Sequence, residues 1–331
     1  MRLVVPLLVG ASLACATLSN PASAARPDEL RQSVVRSLAI LQKSQAVFDK
    51  QATCASCHSQ IAPLVAGIVA RDKGVAMDEA VLARQRTSVI ETVDSRRDSN
   101  LAHTVNGGAH AVVGALMGGV IEAKAPASEG TDAAVILLLG KQLPGGNWSS
   151  LGVRFPAGTT DFELTANAVR AIDAYAPPSM RKEADQRIAK ARAWLVATRA
   201  PDDNDALVNR LQGLVWARAP ASALSKARAD LIGGQKSDGG WAQMPDLASD
   251  AYATAATLIA FHTAGMKPSD PVYQRGVDYL LRTQAADGSW YVKTRALPLQ
   301  PPIDSGFPYG RDQWISAWAT AYAAEAIAYA L

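Results

Sequence analysis

Gln284-Ala285-Ala286-Asp287-Gly288-Ser289-Trp290 is the stretch on which the fold turns, because a near copy, Gln235-Lys236-Ser237-Asp238-Gly239-Gly240-Trp241, stands 49 positions earlier. A third copy, Gln142-Leu143-Pro144-Gly145-Gly146-Asn147-Trp148, precedes that one by close to twice the spacing. Self-similarity at a fixed period of this length marks a repeat architecture and outranks the assignment of any single element. Each copy follows a helix-like segment, such as Arg275 to Thr283, and is followed by a loop and a second helix.

The second helices have a pattern of their own. Asp161 to Ala166, Asp250 to Ala255 and Asp312 to Ala317 share an Asp, three residues, a small hydroxylic residue (Thr165, Thr254, Ser316) and an Ala. An Asp opening an Ala-rich run predicts an N-cap, whose carboxylate accepts orphan backbone N–H groups and favours the positive end of the helix dipole. Weaker copies begin at Asp205 and at Asn106, the latter carrying His110-Ala111. The first copy runs from Leu38 to Gln45, and its second helix begins at His58. The reading is an all-α chain of six helix hairpins. Such hairpins most simply close into an (α/α)6 toroid with the Ala-rich helices inside; an open solenoid is the alternative. Strand signals are nearly absent.

Where the later repeats carry Asp-Gly-Ser-Trp, the first carries Cys54-Ala55-Ser56-Cys57-His58. C-x-x-C-H is the attachment pattern of a c-type haem, with two thiols bonded to the porphyrin and the imidazole on the iron. A thioredoxin-like pair needs a βαβ context that this sequence lacks. Zinc needs two more ligands from His103, His110, His262 or carboxylates, and none has finger-like spacing. One covalent haem c on Cys54, Cys57 and His58 is the expectation; a disulfide or redox pair is the alternative.

The N-terminus agrees with haem attachment outside the cytoplasm. Met1-Arg2, an apolar run to Leu18 and Ala22-Ser23-Ala24 fit a signal peptide over 1–24, cleaved to leave a single toroid domain over 25–331. Cys15 falls in the discarded segment, in a poor lipoprotein-type box. The protein is therefore expected to be periplasmic or otherwise exported. Past the signal no apolar run is long enough to span a bilayer, Ala133 to Leu139 being too short. With 49% hydrophobic and 19% charged residues the chain can bury a sizeable core. A net charge of +3, with scattered basic residues and no aromatic platform beside them, points away from nucleic acid.

Arg275-Gly276, Leu280, Gln284 and Asp287-Gly288-Ser289-Trp290 resemble the QW repeat of the squalene–hopene cyclase and prenyltransferase α/α-toroid superfamily. The tail from Ser289 to Ser316 resembles bacterial exported proteins that join such a toroid to a haem motif. The resemblance implies that glutamine and tryptophan tie adjacent helices together at a turn. It does not carry the superfamily's chemistry over. The cyclases protonate an alkene with an Asp-x-Asp-Asp motif absent here; Asp202-Asp203-Asn204-Asp205 comes nearest and reads as solvated loop charge plus a helix cap. The zinc prenyltransferases need a late Cys ligand, and none follows Cys57.

Placed at the start of an inner helix, His58 would hang the haem at the mouth of the ring. His110 or His103 is the candidate distal ligand, and an ordinary paired histidine is the competing role for each. His262 falls near the opposite rim. Met77, Met117 and Met244 are weaker candidates, since Met commonly fills core gaps. Electron transfer to a periplasmic redox partner is the leading function. A haem oxidoreductase acting on an apolar, isoprenoid-like ligand in the toroid cavity is the alternative, beside a structural haem or a cyclase-like protein without the acid motif. Any enzyme here is expected to be a haem oxidoreductase rather than a terpene cyclase. Trp314, Trp318 and Tyr322 would suit an apolar guest, but their spacing of four also fits core packing, the role favoured for them.

Overall fold

The computed structural model describes residues 27–51, 56–103, 109–149, 155–157, 160–297 and 303–331. The leader assigned to 1–24 and Cys54 lie outside these residues. In chain order the helices are α1 (Pro27–Phe48), α2 (Ala62–Asp72), α3 (Glu79–Asp94), α4 (Arg97–Leu101) and α5 (Ala109–Glu122). They continue as α6 (Glu129–Lys141), α7 (Asp161–Tyr175), α8 (Arg181–Ala197) and α9 (Asn204–Trp216). The last four are α10 (Ala221–Gly233), α11 (Ala251–Thr263), α12 (Pro271–Thr283) and α13 (Gln313–Tyr329). Among the described residues there is no strand, only an isolated bridge between Trp241 and Asp250.

Burial separates the helices into two layers. Helix α8 buries a single stripe, Ala184, Ile188, Ala191 and Leu195, as a helix with one wet face should. Helix α11 buries ten residues in succession apart from Ile259, from Ala251 to Phe261, because it is covered on all sides. Helices α2, α5, α7, α9, α11 and α13 are inner, each packed against the next, and α13 packs in turn against α2. The ring is closed. The expected (α/α)6 toroid is the fold, and the open solenoid is excluded.

The repeated turn explains the closure. Gln235 Nε2 donates to Gly239 O within its own turn and to Val272 O on the next outer helix, both at 2.9 Å. Gln142 does the same with Gly146 O and Arg187 O, and Gln284 with Gly288 O and Ser33 O. Ser33 lies on α1, so the last repeat is stapled to the first. In the first repeat Gln45 accepts from Gln85 on α3, again one outer helix onward.

Glycine is required inside this turn. Gly239 and Gly288 have φ of +88° and +90°, and a Cβ on either would sit 2.5 Å from backbone of the next outer helix, at Arg275 or Arg36. The tryptophan then plugs the hairpin: Trp148, Trp241 and Trp290 are buried and donate Nε1–H to Leu138, Leu231 and Leu280 carbonyls. Burying an indole removes roughly 150–250 Å2 from water, on the order of 4–6 kcal/mol at about 25 cal/mol/Å2.

Inner helix starts follow the pattern with three corrections, one being that α9 is capped by Asp203 and not by Asp205. Asp250 caps α11, accepting from Ala253 N at 2.9 Å, as expected. Helix α7 is capped instead by Thr160, which accepts from Glu163 N, while Asp161 accepts from Asn147 Nδ2. Asp312 makes no side-chain cap; it accepts from Thr294 N and the Tyr291 hydroxyl and holds the preceding loop. The hydroxyl that meets the turn tryptophan's N–H is Thr165 for Trp148 and Thr254 for Trp241, but Thr320 rather than Ser316 for Trp290. Helix α13 thus starts one turn earlier relative to its tryptophan, and Ser316 bonds Val292 N instead.

Candidate functional site

The C-x-x-C-H segment does join an outer to an inner helix. Past α1 the chain makes a π-helical turn, Cys57–Ile61, that runs into α2. Gln60 fixes it, accepting from Ser56 N at 2.6 Å and donating to Asp49 at 2.9 Å, while Ser56 Oγ accepts from Ser59 N. One-turn π segments recur at functional sites. The side chain of Cys57 lies outside the described residues. His58 is half-buried and has three aromatic rings around it: Phe48 at 6.1 Å, Trp314 at 6.0 Å, both edge-on, and Trp318 stacked at 6.4 Å. An imidazole in an aromatic surround, next in sequence to a C-x-x-C pair, is a donor set that fits a haem c.

His110 lies in the first turn of the inner helix α5, its side chain outside the described residues. His103 follows α4 with a φ of 50° and is exposed. Its ring covers Gly140 on the outer helix α6, where a Cβ would fall 2.7 Å from His103 Cε1. His262 ends α11 and stacks on Tyr329 at 3.6 Å, at the far rim as expected; burial, then Lys73, lowers its pKa. Met117 is wholly buried in the core, and Met244 lines a rim pocket.

Inside the ring is a cavity of about 340 Å3 with walls from all six inner helices. Ile61, Val65, Val208 and Ile259 give it apolar surface, and Tyr252, Trp318 and Tyr322 form an aromatic cluster, with Tyr252 stacked on Tyr322 at 5.7 Å. The aromatic residues of α13 are therefore not plain core: Trp318 and Tyr322 face the cavity, and Trp314 and Trp318 flank His58. Trp318 touches both places.

Two acidic groups mark the ends of this space. Near the helix N-termini, Asp203 caps α9 through Ala206 N, and Asp205 is buried, accepting from Thr160 Oγ1 at 3.1 Å and Asn209 Nδ2 at 3.2 Å. Burial above all, then the charges of Glu163 and Asp203, hold the Asp205 carboxyl well above the usual range. The expectation of solvated loop charge holds for exposed Asp202 but fails for Asn204, which donates to Thr257 at 2.9 Å, and for Asp205, both buried, and the cap is Asp203 rather than Asp205. The helix position carried the signal, since Asp205 and Tyr252 each come two residues after their cap and both reach the cavity.

At the other end stands Glu325, which sequence reasoning missed. It is buried, accepts from the Tyr329 hydroxyl at 3.1 Å, and burial followed by the Glu122 charge pushes its pKa up to about 8. Arg170 beside it is ion-paired with Glu122 and stacked over Trp216 at 4.8 Å. The available signal was that Glu325 is the lone charged residue between Gln313 and Tyr329.

Fold and cavity together define an (α/α)6 toroid closed around a central cavity. The structure is similar to that of the type II terpene cyclase MstE from Scytonema, with a TM-score of 0.55 and 13% identity over 91% of this chain and 98% of that one. A protein from Actinoplanes scores 0.58 at 15% identity, covering 91% and 99%, and a glycosidase variant 0.56 at 14%, covering 92% and 99%. An arginine-to-alanine variant of MstE has a solved structure in complex with the substrate geranylgeranyl dihydroxybenzoate. At these identities the likeness is one of fold alone. No protein-family model matches the sequence, and no curated protein does.

Proposed function

We propose that the protein is an exported c-type haem protein, with Cys54 and Cys57 as the covalent anchors and His58 as the proximal iron ligand, working in electron transfer with a periplasmic partner. A bound haem supplies one-electron oxidation and reduction; the chain supplies its surroundings. Phe48, Trp314 and Trp318 orient the imidazole and keep its rim apolar. His110, at the head of an inner helix, is the distal-ligand candidate to test first.

One observation favours the second reading, an oxidoreductase acting on a guest in the ring. Trp318 stacks on His58 with one part of its indole surface and lines the cavity with another. A guest there would lie one side chain from the haem ligand, against Tyr252 and Tyr322, with buried acids able to hold a proton at either end. That placement gives the toroid a use beyond scaffolding. The substrate of MstE, an isoprenoid on an aromatic acid, is the kind of molecule such a fold encloses.

Expression with haem-attachment machinery tests the proposal. The denatured protein in alkaline pyridine should give a haem c spectrum and the mass of one added haem, both lost in Cys54→Ser/Cys57→Ser. A colourless product with the mass of the polypeptide alone sinks both readings. Ready binding of carbon monoxide to reduced protein would select the oxidoreductase, and refusal the six-coordinate carrier.

A further inference from the structure

We infer that the Glu325 end of the cavity seats an uncharged carbonyl oxygen of an otherwise apolar guest, with Glu325 as the hydrogen-bond donor that selects it. The inference rests on reading the cavity as a guest site, and not on the haem. Glu325 lines the cavity, and its hydrogen bond with Tyr329 is one that it accepts, so its own acid O–H is left for the guest. Three and seven residues back along α13, Tyr322 and Trp318 share its face. The helical rise puts them about 4.5 and 10 Å up the axis. A guest with its oxygen on Glu325 would therefore run an apolar or aromatic body along Tyr322 to Trp318.

The surrounding charges decide for an uncharged group. Glu325 is faced by Glu122 from α5, Arg170 from α7 and Tyr273 from α12; Tyr329, on its own helix, is met by His262 from α11 and Lys73 after α2. Arg170 is already paired with Glu122, so a guest carboxylate would compete with one carboxyl and stand beside another. An ammonium would meet the Arg170 guanidinium and require a fresh buried ion pair, whose desolvation offsets its attraction. A carbonyl needs neither, because burial keeps the acid protonated below about pH 8.

The test is calorimetric titration of the full chain with four probes on one skeleton: 2-acetylnaphthalene, 2-ethylnaphthalene, 2-naphthoic acid and 2-naphthylmethylamine, at pH 6 and pH 9. At pH 6 the ketone should bind about tenfold tighter than the hydrocarbon, the increment of one buried hydrogen bond, and this preference should vanish at pH 9. Glu325→Gln, which keeps a donor that does not titrate, should retain the preference at both pH values. Glu325→Leu should bind ketone and hydrocarbon alike. Ala256→Phe, which fills the cavity, should abolish all binding. If the hydrocarbon equals the ketone, if the acid or amine binds best, or if the pH effect survives in Glu325→Gln, the inference is wrong while the guest site stands. If no probe binds, or if Ala256→Phe binds as before, the cavity reading itself fails.

Discussion

A carboxyl with a raised pKa in the folded state makes stability depend on pH, and Glu325 fixes the direction. Its pKa rises from 4.5 to about 8 on folding, so the folded protein holds a proton that the unfolded chain releases. The associated stability is fully present below about pH 4.5 and is lost as pH climbs to about 8. At about 1.4 kcal/mol per unit the loss is on the order of a few kcal/mol. Asp250, raised to about 6 chiefly by burial, and Asp205 act with the same sign. The melting temperature of the wild type should therefore fall between pH 5 and pH 8.5, and Glu325→Gln should flatten much of that fall while matching the wild type near pH 5. A Glu325→Gln profile parallel to the wild type would show that the acid is ionised, hence hydrated, at neutral pH. None of this was legible locally. A single charge in an Ala-rich helix is visible in the sequence, but whether it faces a cavity depends on five other helices.

Elements were legible to the degree that their determinants are short-range. The Gln-x-x-x-Gly-x-Trp turn repeats because its contacts are short-range, the Gln amide to the Gly carbonyl four residues on and the indole N–H to a Leu carbonyl ten residues back, and the structure repeats both atom for atom at Gln235 and Gln142. The helix caps were less legible. A hydroxyl one residue upstream displaced Asp161 from the cap of α7, and the loop before α13 engaged the Asp312 carboxylate, so that it stands at the N-cap position without capping. The turn predicts its own energetics. Gly239→Ala needs a left-handed φ and drives Cβ to 2.5 Å from the Arg275 carbonyl, whereas Gly265→Ala, with a φ of +76°, meets nothing within 4 Å. The second change should cost about 1 kcal/mol, the backbone term alone, and the first at least twice that by steric overlap. Trp241→Ala should exceed both at about 3–5 kcal/mol. Urea unfolding of the three variants checks the order, and equal losses at the two glycines would remove the close approach from the account.

At the scale of the molecule, the site was legible only as a motif. Cys54-Ala55-Ser56-Cys57-His58 could be read at sight, but the rings that surround His58 come from Phe48 and from Trp314 and Trp318, near opposite ends of the chain, and meet only because the ring closes. Closure itself was beyond the sequence, since an open solenoid would carry the same repeats. It depends on Gln284, whose amide reaches Ser33 O at 3.1 Å and Ser37 Oγ at 2.9 Å, and on the packing of α13 against α1 and α2. The consequence can be measured against an internal standard. In a solenoid Gln284 would lie near a free end and its loss would be almost silent, while Gln235, inside the array, would still tie two neighbours. In a closed ring every staple is interior, so Gln284→Ala and Gln235→Ala should each cost about 1–3 kcal/mol, the penalty for stranding buried partners. Hydrogen exchange should carry the same signature: with the ring shut, Gln284→Ala quickens exchange in α1 and α13 together, whereas an open array would confine the change to α12 and its turn. A silent Gln284→Ala beside a costly Gln235→Ala would mean that the ring is open in solution, and Trp318 would then no longer be held between His58 and the cavity.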